Sequence, residues 1–332
     1  MKKRRGNYRG HLAVETGGWL VSNPRFNQDK PGQTEARAVA FLKSFKEMGY
    51  AAVNVGAHEM VLPYKKLLSL AKRHKVQLVS ANIVRQKDDK PVFQPAVVKT
   101  IGGIRVGLFG LISENPQNYG KLFIDRKMTV MSPVKAAKAA VSVLRRNGAQ
   151  LVVCLSALRR AEVNLVSEKV PGVDLFVGSS GMELTLQLSR LSHGYFIDTY
   201  TKGKYVGELL LEPGKDRKKW AAADVKATLT QQITDLRVQV RALQQQLKAA
   251  QKPNSPLQLN EQTRELLQKQ LVQRRAKLLR VTMELEDAGS APADAGRLKV
   301  RMVPLNKDID DDKRVLKAVD AYKKKYPSKP GH

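Results

Sequence analysis

The side chains best suited to chemistry are few and scattered along the chain. His58 is followed by Glu59, and a histidine beside a carboxylate can transfer protons when a substrate lies within reach. The other histidines lack the paired spacing of a metal site; they are His11, His74, His193 and His332. A nucleophilic serine needs a base and an orienting partner, and none can be identified for Ser179 or Ser180. The residue types alone therefore identify no complete catalytic site.

Sequence motifs with a known mechanism are also missing. The chain has no Gly-x-x-x-x-Gly-Lys phosphate loop, no nucleophile elbow and no pair of cysteines for a metal. Cys154 lies inside the apolar run from Leu151 to Leu155, which predicts a small buried hydrophobic residue and not a reactive thiol. Because it is the only cysteine, no disulfide can form within the chain.

Short apolar runs alternate with amphipathic stretches from about residue 10 to residue 211. This alternation is typical of a layered α/β domain. Helices are predicted over 35–48, 62–73 and 133–147. Strands are predicted at 11–15, 51–55, 77–80, 97–100, 105–111, 151–155, 174–177, 185–191 and 195–199.

A different composition begins near Asp216 and continues to Asp287. Glycine is absent there, and Gln, Lys, Arg, Leu and Ala dominate. Two series step by three and four, which is the spacing of a coiled-coil seam: Ile233, Leu236, Val240, Leu243, Leu247, then Leu267, Leu271, Arg274, Leu278, Val281, Leu285. Pro253 and Pro256 interrupt the helical pattern between the series. Residues 216–287 are therefore predicted to form an antiparallel coiled-coil hairpin, each helix about 45 Å long.

Four apolar residues of the second helix lie off this seam: Leu266, Val272, Leu279 and Met283. A two-helix hairpin would leave them partly exposed, so they form a candidate second stripe that binds a partner or another copy of the chain. The chain then returns to a strand at 298–305, which matches the strand at 205–211. The hairpin is therefore predicted to be inserted between neighbouring strands, and a last helix is predicted at 311–326.

Five segments in order resemble the 5′-nucleotidase branch of the metallophosphoesterases. Residues 48–59, Met-Gly-Tyr-Ala-Ala-Val-Asn-Val-Gly-Ala-His-Glu, are similar to the family run lNalGYDAvtlGNHEFD. Residues 78–83, 103–111, 147–156 and 170–178 are similar to vlsANi, G.kigviGl, gaDliivLsH and v.giDvilgGHsH. The resemblance spans about residues 12–211 with a return at 298–326. It implies a four-layered αββα sandwich.

The family's chemistry requires two divalent metals that clamp a phosphate and generate a hydroxide. The resemblance places residues without a suitable ligand at the aligned metal positions: Gly18, Ala57, Ala157, Ser180 and Met182. His58 stands where the family keeps the histidine that donates a hydrogen bond to the leaving oxygen, and it is expected to be vestigial. We therefore expect no metal and no other cofactor, although the family would use two metals.

The charge of the chain is strongly positive. A formal net charge of +29 would attract phosphate polymers, anionic lipid or acidic proteins. The basic residues are spread along the chain and aromatic residues make up only 6%, so the stacking surfaces of a single-strand binder are not evident. Binding to nucleic acid is therefore expected to be non-specific. No apolar run is long enough to predict a membrane-spanning segment.

The sequence predicts one degenerate metallophosphoesterase-like domain at 10–211 and 297–326, which carries the hairpin at 216–287 between basic tails at 1–9 and 327–332. The interpretation is a non-catalytic pseudo-5′-nucleotidase, a binding or scaffold protein whose hairpin engages a protein partner or a second copy. Two alternatives stay open: a weakly active metal-dependent phosphoesterase, and a basic protein that binds nucleic acid or an anionic polymer. The resemblance implies an extracytoplasmic location, with a signal peptide that the printed sequence does not show; the alternative is cytoplasmic.

Overall fold

The computed structural model describes residues 8–22, 29–30, 32–114, 123, 127–178, 187–199, 203–223, 225–250, 260–287, 292–306 and 309–327. Ser180, Met182 and the two prolines of the hairpin link lie outside these residues. The elements in chain order are β1 (Ala13–Glu15), α1 (Gln33–Met48), β2 (Tyr50–Asn54), α2 (Tyr64–Arg73), β3 (Leu78–Val79), β4 (Ile83–Arg85), β5 (Ala96–Ile101), β6 (Ile104–Ile112), β7 (Met128–Val130), α3 (Pro133–Arg146), β8 (Leu151–Ala157), α4 (Arg160–Lys169), β9 (Leu175–Gly178), β10 (Ser189–Arg190), β11 (Tyr195–Asp198), β12 (Tyr205–Glu212), β13 (Asp216–Ala222), α5 (Val225–Ala249), α6 (Glu261–Asp287), β14 (Ala295–Pro304) and α7 (Lys313–Lys325).

A six-stranded sheet in the order β10-β11-β9-β8-β6-β5 lies at the centre of the domain. Its four inner strands are parallel, and the two edge strands are antiparallel to their neighbours. Both faces are covered: Phe109 and Cys154 pack with α3 and α4 on one side, while Leu108 and Leu155 pack on the other. This double burial explains why β6 and β8 are continuous apolar runs in the sequence. Cys154 is buried as predicted, and burial raises the pKa of its thiol.

Two smaller sheets cover the second face of the central sheet. Ala52 of β2, Val79 of β3 and Leu298 of β14 share one apolar cluster with the central strands. Helices α1 and α2 then cover the far side of the sheet β1-β2-β3, where Leu42 and Leu67 are buried. The order helix, sheet, sheet, helix confirms the predicted four-layered αββα sandwich.

Three elements of the sandwich were not predicted. Strands β4 and β7 pair with each other over three residues each, which is too short to show a period of two. Helix α4 begins after Arg159, whose backbone N–H donates to the Glu162 carboxylate at 2.8 Å. An arginine in the capping position gives none of the usual signals of a helix start.

The segment Asp216–Ala222 corrects the predicted start of the hairpin, because it forms strand β13 and helix α5 begins at Val225. Trp220 anchors this strand, since its ring lies against Gly296 and its indole N–H donates to the Gln150 carbonyl at 2.9 Å. Strand β13 runs parallel to β14. Parallel neighbours need a long crossover connection, and α5 and α6 provide it. The hairpin therefore joins β13 to β14, two paired strands of one sheet.

The two inserted helices pack against each other in an antiparallel arrangement. Leu229, Ile233 and Leu236 near the start of α5 contact Leu278, Val281 and Leu285 near the end of α6. At 25 and 27 residues, the helices are about 37 and 40 Å long, slightly shorter than expected. A coiled coil along their whole length stays a prediction.

The last helix closes the chain back onto the domain. Helix α7 begins after Asp312, whose carboxylate accepts the backbone N–H of Arg314 at 2.9 Å. It packs along α1, where Arg37 donates to the Tyr322 hydroxyl at 3.2 Å and Arg314 pairs with Glu47 at 3.1 Å. The predicted helix at 311–326 therefore exists as an outer cover of α1.

Candidate functional site

Two loops meet at the carboxyl ends of β1 and β2. Gly17 and Gly18 follow β1 and adopt left-handed backbone conformations, with φ of 105° and 81°. A Cβ at Gly17 would lie 3.3 Å from the Gly56 nitrogen, and one at Gly18 would lie 3.9 Å from His58 Nδ1. Only glycine adopts such backbone readily, so this close approach of the loops depends on both glycines.

The carboxylate of Glu59 connects the two loops. It accepts the backbone N–H of Gly18 at 3.1 Å, of Leu20 at 3.0 Å and of Gly56 at 2.7 Å. Glu59 is fully buried. Burial raises the pKa of Glu59, and the three N–H donors and the nearby His58 oppose that rise. The side chain beside the candidate histidine thus holds the backbone in place.

His58 contributes a further link between the same loops. Its Nδ1 lies 2.6 Å from the Val21 carbonyl oxygen. A carbonyl can only accept, so Nδ1 carries the proton and donates it to Val21. The ring therefore holds the loop after β1, and this contact favours a positioning role for His58.

Glu15 is a second, half-buried acid at this edge. Its carboxylate accepts the Thr16 backbone N–H at 3.0 Å. Burial raises the pKa of Glu15 to about 7, the charge of Glu59 adds to the rise, and backbone N–H groups of Thr16 and Gly17 oppose it. Because the charge of Glu59 affects the pKa of Glu15, the stability of this edge is expected to depend on pH.

Asn54 is an organising residue that the sequence did not reveal. It ends β2 and is fully buried. Its Nδ2 lies 2.8 Å from the Thr16 carbonyl, 3.0 Å from that of Leu155 and 3.2 Å from that of Leu111. One amide thus connects the carboxyl ends of β1, β6 and β8 to that of β2. The run Val53-Asn54-Val55 has no sequence pattern that marks Asn54 as a contact between strands.

The described positions of the predicted metal site lie around this edge. Ala57 precedes His58, and both Ala57 and Ala157 pack against the apolar cluster beneath α1 and α2. Ala157 ends β8, two residues after Leu155. Gly18, Ala57 and His58 therefore lie at the same edge, and Ala157 packs against the same cluster as Ala57.

Curated relatives match part of the chain. The 2′,3′-cyclic-nucleotide 2′-phosphodiesterase/3′-nucleotidase of Haemophilus influenzae is 22% identical over 166 residues, 47% of this chain and 25% of its own length. The protein of that name from Yersinia enterocolitica is 29% identical over 150 residues, 40% of this chain and 23% of its own. A 5′-nucleotidase of Vibrio parahaemolyticus is 26% identical over 127 residues, 38% and 23% of the two chains. The chain thus spans about a quarter of their length.

Solved structures agree in fold. The 5′-nucleotidase precursor from Thermus thermophilus matches with a TM-score of 0.50 and 26% identity, over 63% of this chain and 43% of that one. The calcineurin-like phosphoesterase YfkN from Bacillus subtilis matches with a TM-score of 0.52 and 18% identity, over 63% and 73%. This chain is a relative of the 5′-nucleotidase-type metallophosphoesterases. No family model matches it.

The described residues do not fit the two metals that 5′-nucleotidase-type metallophosphoesterases use. Gly18, Ala57 and Ala157 have no donor atom in their side chains, and Glu59 is already engaged by three backbone N–H groups. No group of three His, Cys, Asp or Glu side chains in the described part of the chain is placed to hold a metal. An aspartate at position 18 would also need a φ of 81°, which L-residues rarely adopt.

The predicted partner-binding residues lie on α6, away from this edge. Leu266, Val272, Leu279 and Met283 are 55%, 67%, 65% and 59% exposed. Near its start, α5 touches the domain, where Gln232 donates to Gln187 at 2.9 Å. Within the described ranges, no helix of this nucleotidase relative is long and apolar enough to cross a membrane.

Proposed function

We propose that this chain is a non-catalytic relative of the 5′-nucleotidases that acts as a binding or scaffold protein through its helical hairpin. The observation that carries the proposal is the edge at Gly18, Ala57 and Ala157. Small side chains stand there in place of ligands, and the left-handed backbone of Gly18 is unsuited to an aspartate. Without activated water, His58 has no nucleophile to assist.

The hairpin supports the binding half of the proposal. Burial of Ile233, Leu236 and Val281 contributes about 1.5 to 3 kcal/mol for each side chain, so the helices stabilise each other near the domain. A crossover between β13 and β14 could be made by a dozen or so residues. The additional length, with apolar residues exposed on α6, indicates a role beyond connecting two strands.

The location that accompanies this function is extracytoplasmic. The support is the resemblance of the sequence to the 5′-nucleotidases. Fractionation of the native cells, followed by detection of the protein with an antibody, tests this placement. Recovery in the cytoplasmic fraction alone would contradict it.

Metal content and turnover test the absence of catalysis. The purified full chain should contain no stoichiometric Mn, Zn or Mg by elemental analysis. It should hydrolyse neither a 2′,3′-cyclic nucleotide nor a 5′-nucleotide when Mn²⁺ is supplied. Two bound metals, together with turnover that His58→Ala abolishes, would establish the phosphoesterase alternative instead.

A shortened hairpin tests the scaffold role. Replacing residues 237–277 with a short Gly-Ser loop keeps the contacts of Leu229, Ile233 and Leu236 with Leu278, Val281 and Leu285. The shortened chain should keep the domain's thermal unfolding transition but lose the partners or self-association of the full chain. A variant that retains the full-length oligomeric state and every partner would show that the hairpin is only a strut.

A further inference from the structure

The outer face of α6 carries a narrow apolar stripe formed by Val272, Ala276, Leu279 and Met283. All four are exposed, and the three larger side chains are 67%, 65% and 59% exposed. They are spaced by four, three and four residues. At about 100° per residue they lie within about 60° of each other and about 150° from the seam that faces α5. Packing within the hairpin therefore leaves the stripe open.

Leu266 does not belong to this stripe, although the sequence grouped it with the others. The helical period places Leu266 about 110° from the centre of the stripe. The grouping is therefore corrected to Val272, Leu279 and Met283, with Ala276 added.

Cations border the stripe on both sides. Arg275 lies on one side, and Lys269 and Arg280 lie on the other, by the same helical period. All three are exposed. No acidic residue occurs between Leu266 and Met283. Between Glu265 and Glu286, which lie beyond its two ends, the stripe is thus an apolar seam with positive flanks.

This combination favours one kind of occupant. A second copy would bring the same cations face to face, on chains that each carry a net charge of +29, and like charges across a helix pair oppose association. A lipid surface suits a broader face with aromatic residues, and the stripe has one alanine and no aromatic residue. Spacing by three and four suits another helix.

We propose that the stripe binds an acidic amphipathic helix of a partner protein. Apolar residues of that helix would pack on Val272, Leu279 and Met283, and its flanking carboxylates would pair with Arg275, Lys269 and Arg280. The inference rests on the proposed function of the hairpin and adds the chemistry of its partner.

A synthetic peptide provides the probe. It has four heptads, with Leu and Ala at the seam positions and Glu at the flanking positions, and carries a fluorescent label. Fluorescence anisotropy with the full-length protein should give saturable binding that weakens with salt. Leu279→Glu should weaken it at least about tenfold, because a charged carboxylate would replace a leucine in the apolar contact between the helices. Arg275→Glu with Arg280→Glu should also weaken it.

The opposite helix supplies matched controls. Val238 is 62% exposed on α5 and lies about 180° from the seam. Val238→Glu therefore makes the same charge change at an exposed apolar residue outside the stripe. Arg237→Glu with Arg241→Glu matches the double charge reversal. These controls should bind the peptide like the wild type, and circular dichroism should show equal helix content in all variants.

Three results would overturn the inference. The first is peptide binding that the stripe variants leave unchanged, or no binding. The second is binding to vesicles that contain about 30% anionic lipid, if Leu279→Glu removes this binding and the peptide does not bind. The third is a dimer by sedimentation equilibrium that Leu279→Glu dissociates. If the peptide does not bind but the chain with the shortened hairpin loses its native partners, only this inference fails. If the chain with the shortened hairpin keeps its native partners, the proposed function fails.

Discussion

Two buried polar side chains, Asn54 and Glu59, organise the edge of the domain where the family would hold metals. Each is fully buried and each contacts three backbone groups. Asn54 donates to backbone carbonyls and Glu59 accepts from backbone N–H groups, so both side chains bind the backbone of this edge directly. These residues are expected to govern stability rather than turnover.

Replacement of Asn54 tests this role. Asn54→Ala leaves the carbonyls of Thr16, Leu111 and Leu155 without their amide donor, and it should lower the free energy of unfolding by about 3 kcal/mol. Asn54→Asp should cost more, because a carboxylate would face the same carbonyl oxygens. Urea unfolding measures both.

Asn164 provides the control for Asn54, because it is exposed on α4. Asn164→Ala should change the free energy of unfolding by less than about 0.5 kcal/mol. If Asn54→Ala is equally mild, the amide is not an organising group.

Glu15 gives the domain a pH dependence of known sign. Its folded pKa is raised to about 7, so the folded state binds the proton more tightly than the unfolded state. Its contribution to stability is therefore present at low pH and is lost as pH rises toward and through 7. Glu15→Gln should stabilise the protein at pH 8 by up to about 3 kcal/mol, and this gain should nearly vanish below pH 5.

The comparison for Glu15 is Glu212→Gln, at an exposed position of β12. Urea unfolding of both variants and the wild type between about pH 4 and pH 8 separates a local effect from a general effect of charge. An equal pH profile for the two variants would rule out a special role for Glu15.

At the scale of elements, the hairpin serves as the crossover between two parallel strands. Strand β13 ends at Ala222, which pairs with Leu298 well inside β14, while Ala295 at the start of β14 pairs with Asp216. A direct link from Ala222 to Ala295 would have to run back along the strand. The hairpin therefore cannot be replaced by a tight turn without affecting the sheet.

Two positions of α6 that are two residues apart lie on different faces of the helix. Val281 is 4% exposed in the seam and Met283 is 59% exposed on the outer stripe. Val281→Asp should lower the hydrogen-exchange protection of the hairpin by burying an unpaired charge. Met283→Asp should leave that protection nearly unchanged. Hydrogen exchange of α5 and α6 measures this, and equal protection in both variants would contradict the seam.

At the scale of the whole molecule, the charge of +29 acts at long range. Exposed cations occur on the domain and on the hairpin, such as Lys65 on α2 and Arg275 on α6. A charge distributed in this way attracts polyanions without reading their sequence. The charge is therefore expected to add a background attraction to the contact proposed for the hairpin.

Salt titration tests the nature of this attraction. Binding to duplex DNA or RNA should fall steeply with salt, with a linear relation between log K and log salt, and should differ little among sequences. Competition between oligonucleotides at physiological salt measures the preference. One sequence bound about a thousandfold more tightly than the others would indicate specific recognition instead.

The sequence by itself determined the layered fold. Apolar runs such as 105–111 and 151–155 are continuous because both faces of the sheet are buried, and this pattern is local. The substitutions at Gly18, Ala57 and Ala157 were visible because the ordered resemblance aligned them. The spacing of apolar residues by three and four likewise predicted the inserted helices.

Only the tertiary structure decided which polar groups hold the edge together and where the hairpin begins. The roles of Asn54 and Glu59 depend on carbonyl and N–H groups far away in sequence, and no local pattern contains those distances. The stretch Asp216–Ala222 has the same composition as the helices that follow it, but pairing with β14 and the contact of Trp220 make it a strand. Long-range pairing and packing outweigh local propensity at such positions, since burial contributes more free energy than propensity does.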